Sequence, residues 1–151
     1  MEFDLPQGAT PLDPNEIEGL IPTHIQTRAE LDRWEQENIN EAILWAGQKK
    51  TKHLFSESFI RRLHKKMFGR VWNWAGQFRQ RDKNLGISWY LIPEQIKLLC
   101  EDTEYWIANK TFSADEMAAR FHHRLVSIHP FPNGNGRHAR LMTDLLMENI
   151  L

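Results

Sequence analysis

The residues best suited to chemistry stand together in His129-Pro130-Phe131-Pro132-Asn133-Gly134-Asn135-Gly136-Arg137-His138-Ala139-Arg140. Gly134 and Gly136 permit tight backbone geometry just before a helix, and the unpaired N–H groups of that helix's first turn, with its dipole, form an anion site. Arg137 and Arg140 share a face of the same helix. Cations are unfavourable at a helix N-terminus, so two of them there make sense when a polyanion lies between them, and a guanidinium pairs bidentately with phosphate oxygens. His129 closes the preceding helix, and an imidazole titrates where a general base is needed at neutral pH. A base beside bound phosphates reads as nucleotidyl or phosphoryl transfer. Each part alone has a plain structural explanation, as a turn, a solvated arginine pair or a core histidine. Their ordered combination points to a site.

The elements that must position these residues are helical. Thr27 to Glu30 is a capping box, followed at helical spacing by Leu31, Trp34, Ile39, Ala42, Ile43 and Ala46 up to Gly47. Phe59, Ile60, Leu63, Met67 and Phe68 repeat the pattern between Ser56 and Gly69, and Pro93 opens a third helix through Ile96, Leu99, Cys100, Tyr105 and Trp106. Ser113 to Glu116 is a second capping box ahead of Met117, Ala118, Phe121, Leu125, Val126 and Ile128, and Arg137 to Leu151 is the last periodic run. Between Val71 and Leu91 the period breaks, which predicts a loop with a short hairpin turning near Asn84 to Gly86. The proline-rich opening up to Thr23 predicts an extended arm with one helical turn at Asn15 to Leu20. The expectation is an all-α domain with a small β-hairpin, residues 1–26 forming an N-terminal arm and 27–151 the domain. Trp34, Trp45, Trp72, Trp74 and Trp106 are expected in the core, and Arg61, Arg62, Lys65 and Lys66 on a solvated edge.

Composition bounds the function. The chain has 151 residues, 19 Lys+Arg against 20 Asp+Glu and a formal charge of −1, so no global positive field holds nucleic acid or an anionic membrane. Arg79, Arg81 and Lys83 are a weak local charge that could touch an acidic target. The single cysteine, Cys100, forms no internal disulfide and suits a reducing compartment; without a signal peptide or an 18-residue apolar run, the location expected is cytoplasmic. His122 and His123 point to different sides of one helix and no H-E-x-x-H accompanies them, so no zinc site is expected.

The run from His129 to Arg140 resembles the Fic family motif, H-x-F-x-(D/E)-G-N-G-R-x-x-R, at every defined position except Asn133. Trp74-Ala75-Gly76 with Phe78-Arg79 and the helix order extend the resemblance over roughly 27–150; within the family, Leu12 to His24 and Trp74 to Gly86 look most like the bacterial group called mobile mystery protein B. The resemblance implies a Fic fold helical bundle and a protein adenylyltransferase that moves AMP from ATP to a Ser, Thr or Tyr hydroxyl of a target protein, releasing pyrophosphate. By motif position it makes His129 the base and Phe131 the residue that fixes the loop. Gly134, Asn135 and Gly136 would hold the α- and β-phosphates, and Arg137 and Arg140 the outer ones. The family's carboxylate for Mg²⁺ is replaced by Asn133, a neutral oxygen that should weaken the metal.

The hairpin would be a flap, Asp82, Lys83, Asn84, Leu85, Gly86, Ile87, Ser88 and Trp89, aligning the target by strand addition. Glu18-Gly19 fits the end of the family's inhibitory pattern, (S/T)-x-x-x-E-(G/N), with Pro14 at the Ser/Thr position, which predicts that Glu18 reaches Arg140 and restrains activity. Transfer of a phosphoryl or UMP group by the same fold, or a nucleotide-binding regulatory module without turnover, are the alternative functions. A toxin with an antitoxin partner is open by analogy. A homodimer is open as a cover for Leu145, Leu146 and Ile150, should they be exposed.

Overall fold

The computed structural model describes residues 17–48 and 54–150. The first twenty-residue helix, α1, spans Arg28–Gly47, and Thr27 caps it by accepting from Glu30 N–H at 3.3 Å. α2 spans Glu57–Phe68 behind a Ser56 cap, and α3 spans Ile92–Asn109 with proline in its first turn after a single 3₁₀ turn at Trp89–Leu91. α4 spans Ala114–Ile128 behind the Ser113 cap, and α5 spans Asn135–Ile150.

α1 packs on α2, α3 on α4, and α4 on α5, with α2 touching both α3 and α5. α2 therefore sits centrally, and its Ile60, Leu63, Met67 and Phe68 are sealed among Ile92, Ile96, Leu99, Phe121, Leu125, Phe131, Met142 and Leu146. Polar groups join the helices as well. Asn38 of α1 donates to Lys66 O and accepts from Arg70 N–H, serving the C-terminal end of α2 whose carbonyls lack helical partners.

The helices lie where the periodicity places them, but the hairpin does not form: no strand occurs among the described residues, and 82–88 runs as bends and irregular chain into the 3₁₀ turn at Trp89. A side chain replaces the ladder. Arg79 Nη1 donates to Arg81 O and Nη2 to Ile87 O, and Asp82 Oδ1 accepts from Trp89 N–H, so the two arms of the loop are tied through one guanidinium instead of paired main chains. The antiparallel bridge that does exist joins Leu20 to Trp72, flanked by Ile21 N–H to Val71 O and Asn73 N–H to Gly19 O.

Other expectations need correction. Trp34 is exposed, because it lies beyond the edge of the buried stripe of α1, where the His24 ring meets it edge-on. Arg79 is buried, since its charge is spent on carbonyls and not shown to solvent. Leu145 and Leu146 are buried by their own chain and Ile150 packs against the same core, which removes the reason for a dimer at that face. The arm and its expected helical turn lie outside the described residues up to 16; from Ile17 to Leu20 the chain makes a turn, with Leu20 N–H donating to Ile17 O.

Candidate active site

The loop from His129 to Gly134 joins α4 to α5, and each residue of it is held by a definable contact. His129 is the left-handed C-cap of α4, at φ 52°, a conformation that histidine tolerates better than most residues and that turns the chain sharply out of the helix. Phe131 is fully buried, stacked on the His64 imidazole at 3.7 Å and flanked by Phe78 and His138. Asn135 closes the loop: its Oδ1 accepts from Phe131 N–H at 2.9 Å and its Nδ2 donates to Phe131 O at 2.8 Å. With that side chain used up, what Asn135 has left for a ligand is its main-chain N–H at the start of α5.

The glycines of the loop have different reasons. Gly134 has φ 77°, and a Cβ there would stand 2.6 Å from the Phe68 ring. At Gly136 a Cβ would meet nothing within 4 Å, so the first turn of α5 is open to a ligand at that point.

Buried histidine supports the loop from below. His64 Nδ1 accepts from Gly76 N–H at 2.9 Å, which places its proton on Nε2, and Nε2 donates to Asn133 O at 3.0 Å. Burial, then the neighbouring His138, pushes the His64 pKa down to about 3, so this neutral tautomer persists through the working range. His138 Nε2 donates to Ile60 O and its Nδ1 is buried without a partner; burial pushes its pKa down to about 4.

Arg79 does for His129 what His64 does for Asn133. Its Nε donates to His129 O at 2.6 Å and Nη2 reaches Ile128 O at 3.2 Å, both carbonyls at the negative end of the α4 dipole. The same guanidinium grips the loop 81–87, so His129 and the flap are referred to one group. At Gly86, φ 93°, a Cβ would lie 2.6 Å from His129 Cβ: the flap passes directly against the histidine. Burial, followed by the charges of Arg79 and Lys83, holds the His129 pKa below its usual 6.5, leaving the imidazole neutral and able to accept a proton at pH 7.

Beside this loop lies a pocket of about 690 Å³, with Glu18, Trp74, Gln77, Arg81, Lys83 and Asn133 on its walls. Asn133 is exposed, and its Oδ1 accepts from Gly134 N–H at 2.7 Å. Arg140 is exposed on α5 about one turn beyond Arg137. Glu18 holds its place through its carbonyl, which accepts from Trp74 Nε1, and no ion pair joins it to Arg140 among the described residues.

The Fic/DOC family model matches residues 54–147. The chain belongs to the Fic/DOC family. A protein adenylyltransferase, fic-1 of Caenorhabditis elegans, is 36% identical over 76 residues, covering 48% of this chain and 15% of that protein. This Fic chain thus spans a small part of the length of such relatives. Among solved structures, the N-terminal Fic domain of Bep8 from Bartonella sp. 1-1C has a TM-score of 0.71 at 20% identity, over 84% of this chain and 69% of that one. BepC of Bartonella tribocorum, solved with bound AMPPNP, has a TM-score of 0.69 at 20% identity, over 83% and 70%. These two show the fold.

Two contributors escaped sequence reading. His64 and Glu35 both occupy apolar stripes, His64 one turn after Ile60 and Glu35 midway between Leu31 and Ile39. A polar residue at a core register was the signal.

Proposed function

We propose that this Fic domain is a protein adenylyltransferase, transferring AMP from ATP to a hydroxyl of a target protein. The observation that carries it is the joint placement of His129 against the flap and of an open, glycine-marked helix N-terminus followed by Arg137 and Arg140. In the reaction the target hydroxyl oxygen forms a bond to the α-phosphorus, the bond from that phosphorus to the β-bridging oxygen breaks, and pyrophosphate leaves. The hydroxyl proton passes to neutral His129, whose depressed pKa suits a base. The N–H groups of Asn135 and Gly136, joined by that of Gly134 once it exchanges Asn133 Oδ1 for phosphate, face the α- and β-phosphates, and Arg137 and Arg140 the outer oxygens. The AMPPNP in BepC and the adenylyltransferase activity named for fic-1 support this assignment.

Asn133 Oδ1 keeps a second lone pair beyond its bond to Gly134, so it fits a Mg²⁺ as a single neutral protein ligand, the ion being carried mainly by phosphate oxygens. Bound there, Mg²⁺ would neutralise phosphate charge. We further assign residues 1–26 to an arm that brings Glu18 to the pocket as a restraint on Arg140, 82–89 to a target-aligning flap, and the reducing cytoplasm to a chain whose one thiol is free and buried.

The test is incubation with ATP labelled on the α- or the γ-phosphate and candidate target proteins, beside His129→Ala. Only α-label should reach protein, the variant should lower transfer by about 10² or more, and transfer should rise with pH with its half-rise below pH 6.5. Appearance of γ-label on protein would make the reaction phosphorylation instead.

A further inference from the structure

Arg137 stands in the first turn of α5, where the helix dipole disfavours a cation, and yet its side chain is held. Glu35 of α1, buried at 7% exposure, accepts from Arg137 Nη1 on Oε1 at 3.3 Å and from Trp72 Nε1 on Oε2 at 2.9 Å. The Phe68 ring lies 4.8 Å from the guanidinium carbon. Edge and face are thus fixed, while the Arg137 side chain stays 46% exposed and most of its five N–H donors remain for something else. A carboxylate at a core register is costly unless paired, and an aliphatic residue would fill the same stripe of α1 without that cost. Its partners explain its presence only if the position of Arg137 matters.

We propose that Glu35 is a positioning residue that presets the Arg137 guanidinium for the outer phosphates of the nucleotide, a role that rests on the nucleotide reading above. A free arginine on an exposed helix end samples many rotamers, and ordering it on binding weakens affinity; Glu35 and Phe68 order it beforehand. The pair spans 102 residues of sequence, so the N-terminal helix contributes to a site whose motif lies near the other end of the chain.

The test compares ATP with AMP, which lacks the outer phosphates, by calorimetric titration of the whole chain and of Glu35→Ala and Glu35→Gln. Glutamine keeps the volume but offers one acceptor oxygen to two donors, so its NH₂ must face Trp72 or Arg137. ATP affinity should fall about tenfold in Glu35→Ala and severalfold in Glu35→Gln, with AMP affinity unchanged. Adding Glu35→Ala to Arg137→Ala should cost little more, because Glu35 acts only through Arg137. A parallel loss of ATP and AMP affinity in both variants would reduce Glu35 to a structural residue, and tighter ATP binding would show that it competes with phosphate; either overturns the proposal, as does no change. A wild-type chain that binds neither nucleotide sinks the nucleotide reading, and the positioning role with it.

Discussion

Arg79 shows how much one side chain can organise. Its guanidinium donates to the carbonyls of Arg81, Ile87, Ile128 and His129, so the backbone bearing the proposed base and the backbone of the loop 81–87 share one reference point. Lysine carries the same charge but lacks the planar fork and cannot reach four carbonyls at once. Arg79→Lys should therefore misplace the flap relative to His129 and lower transfer by about 10², a loss typical of a misplacement of about 1 Å. ATP affinity should change less than about threefold, because the phosphate groups sit on α5. Equal loss of ATP binding, measured by calorimetry, would mean that Arg79 supports the whole site and not the relation between base and flap.

Among the elements, the turn at Ile17 to Leu20 is the one whose position most affects the site. It is stitched to 71–73 by Ile21 N–H to Val71 O and Asn73 N–H to Gly19 O, with Trp74 Nε1 bonded to Glu18 O. Glu18 consequently stands on the pocket wall shared with Asn133. A negative charge there opposes a polyanion entering the pocket. Glu18→Gly should raise transfer, measured as self-modification with α-labelled ATP, by about tenfold. Unchanged labelling would remove Glu18 from any regulatory role. α2 acts differently, as a beam: it carries His64 under Asn133 and Phe68 under both Gly134 and Arg137.

At the scale of the molecule, stability and site are tied through buried neutral imidazoles. His64 and His138 are pushed down to about 3 and about 4 by burial, while in the unfolded chain each titrates near its ordinary 6.5. Between those values the unfolded state binds more protons than the folded one, so stability rises with pH there and is lost as pH falls below about 6.5. With both residues titrating, the slope near pH 5 approaches about 2.7 kcal/mol per pH unit from this pair. Denaturant midpoints should drop steeply from pH 7 to pH 5, and a His64→Gln, His138→Gln variant should lose most of that dependence while being less stable at pH 7. A variant with the parent's slope would place the acid sensitivity in other groups.

The helices and the glycine-rich turn ahead of α5 were legible in the sequence because both are local: caps such as Thr27 and Ser113, periodic apolar positions, and glycines before a helix act within a few residues. The flap was misread for the same reason. A turn near Asn84 to Gly86 makes a hairpin only if the strands beside it pair with each other, and here Ile87 O accepts from Arg79 while Ile87 N–H donates to Ile128 O of α4 instead. Glu35 and His64 were visible as polar residues in apolar stripes, but their partners are 102 and 69 positions away, and no spacing rule reaches that far. What the sequence determined alone was which segments coil and where an anion could bind. Which carboxylate meets Arg137, which imidazole supports Asn133 and what ties the base to the flap were settled only when the helices packed, since burial makes an unpaired polar group costly and so selects its partner.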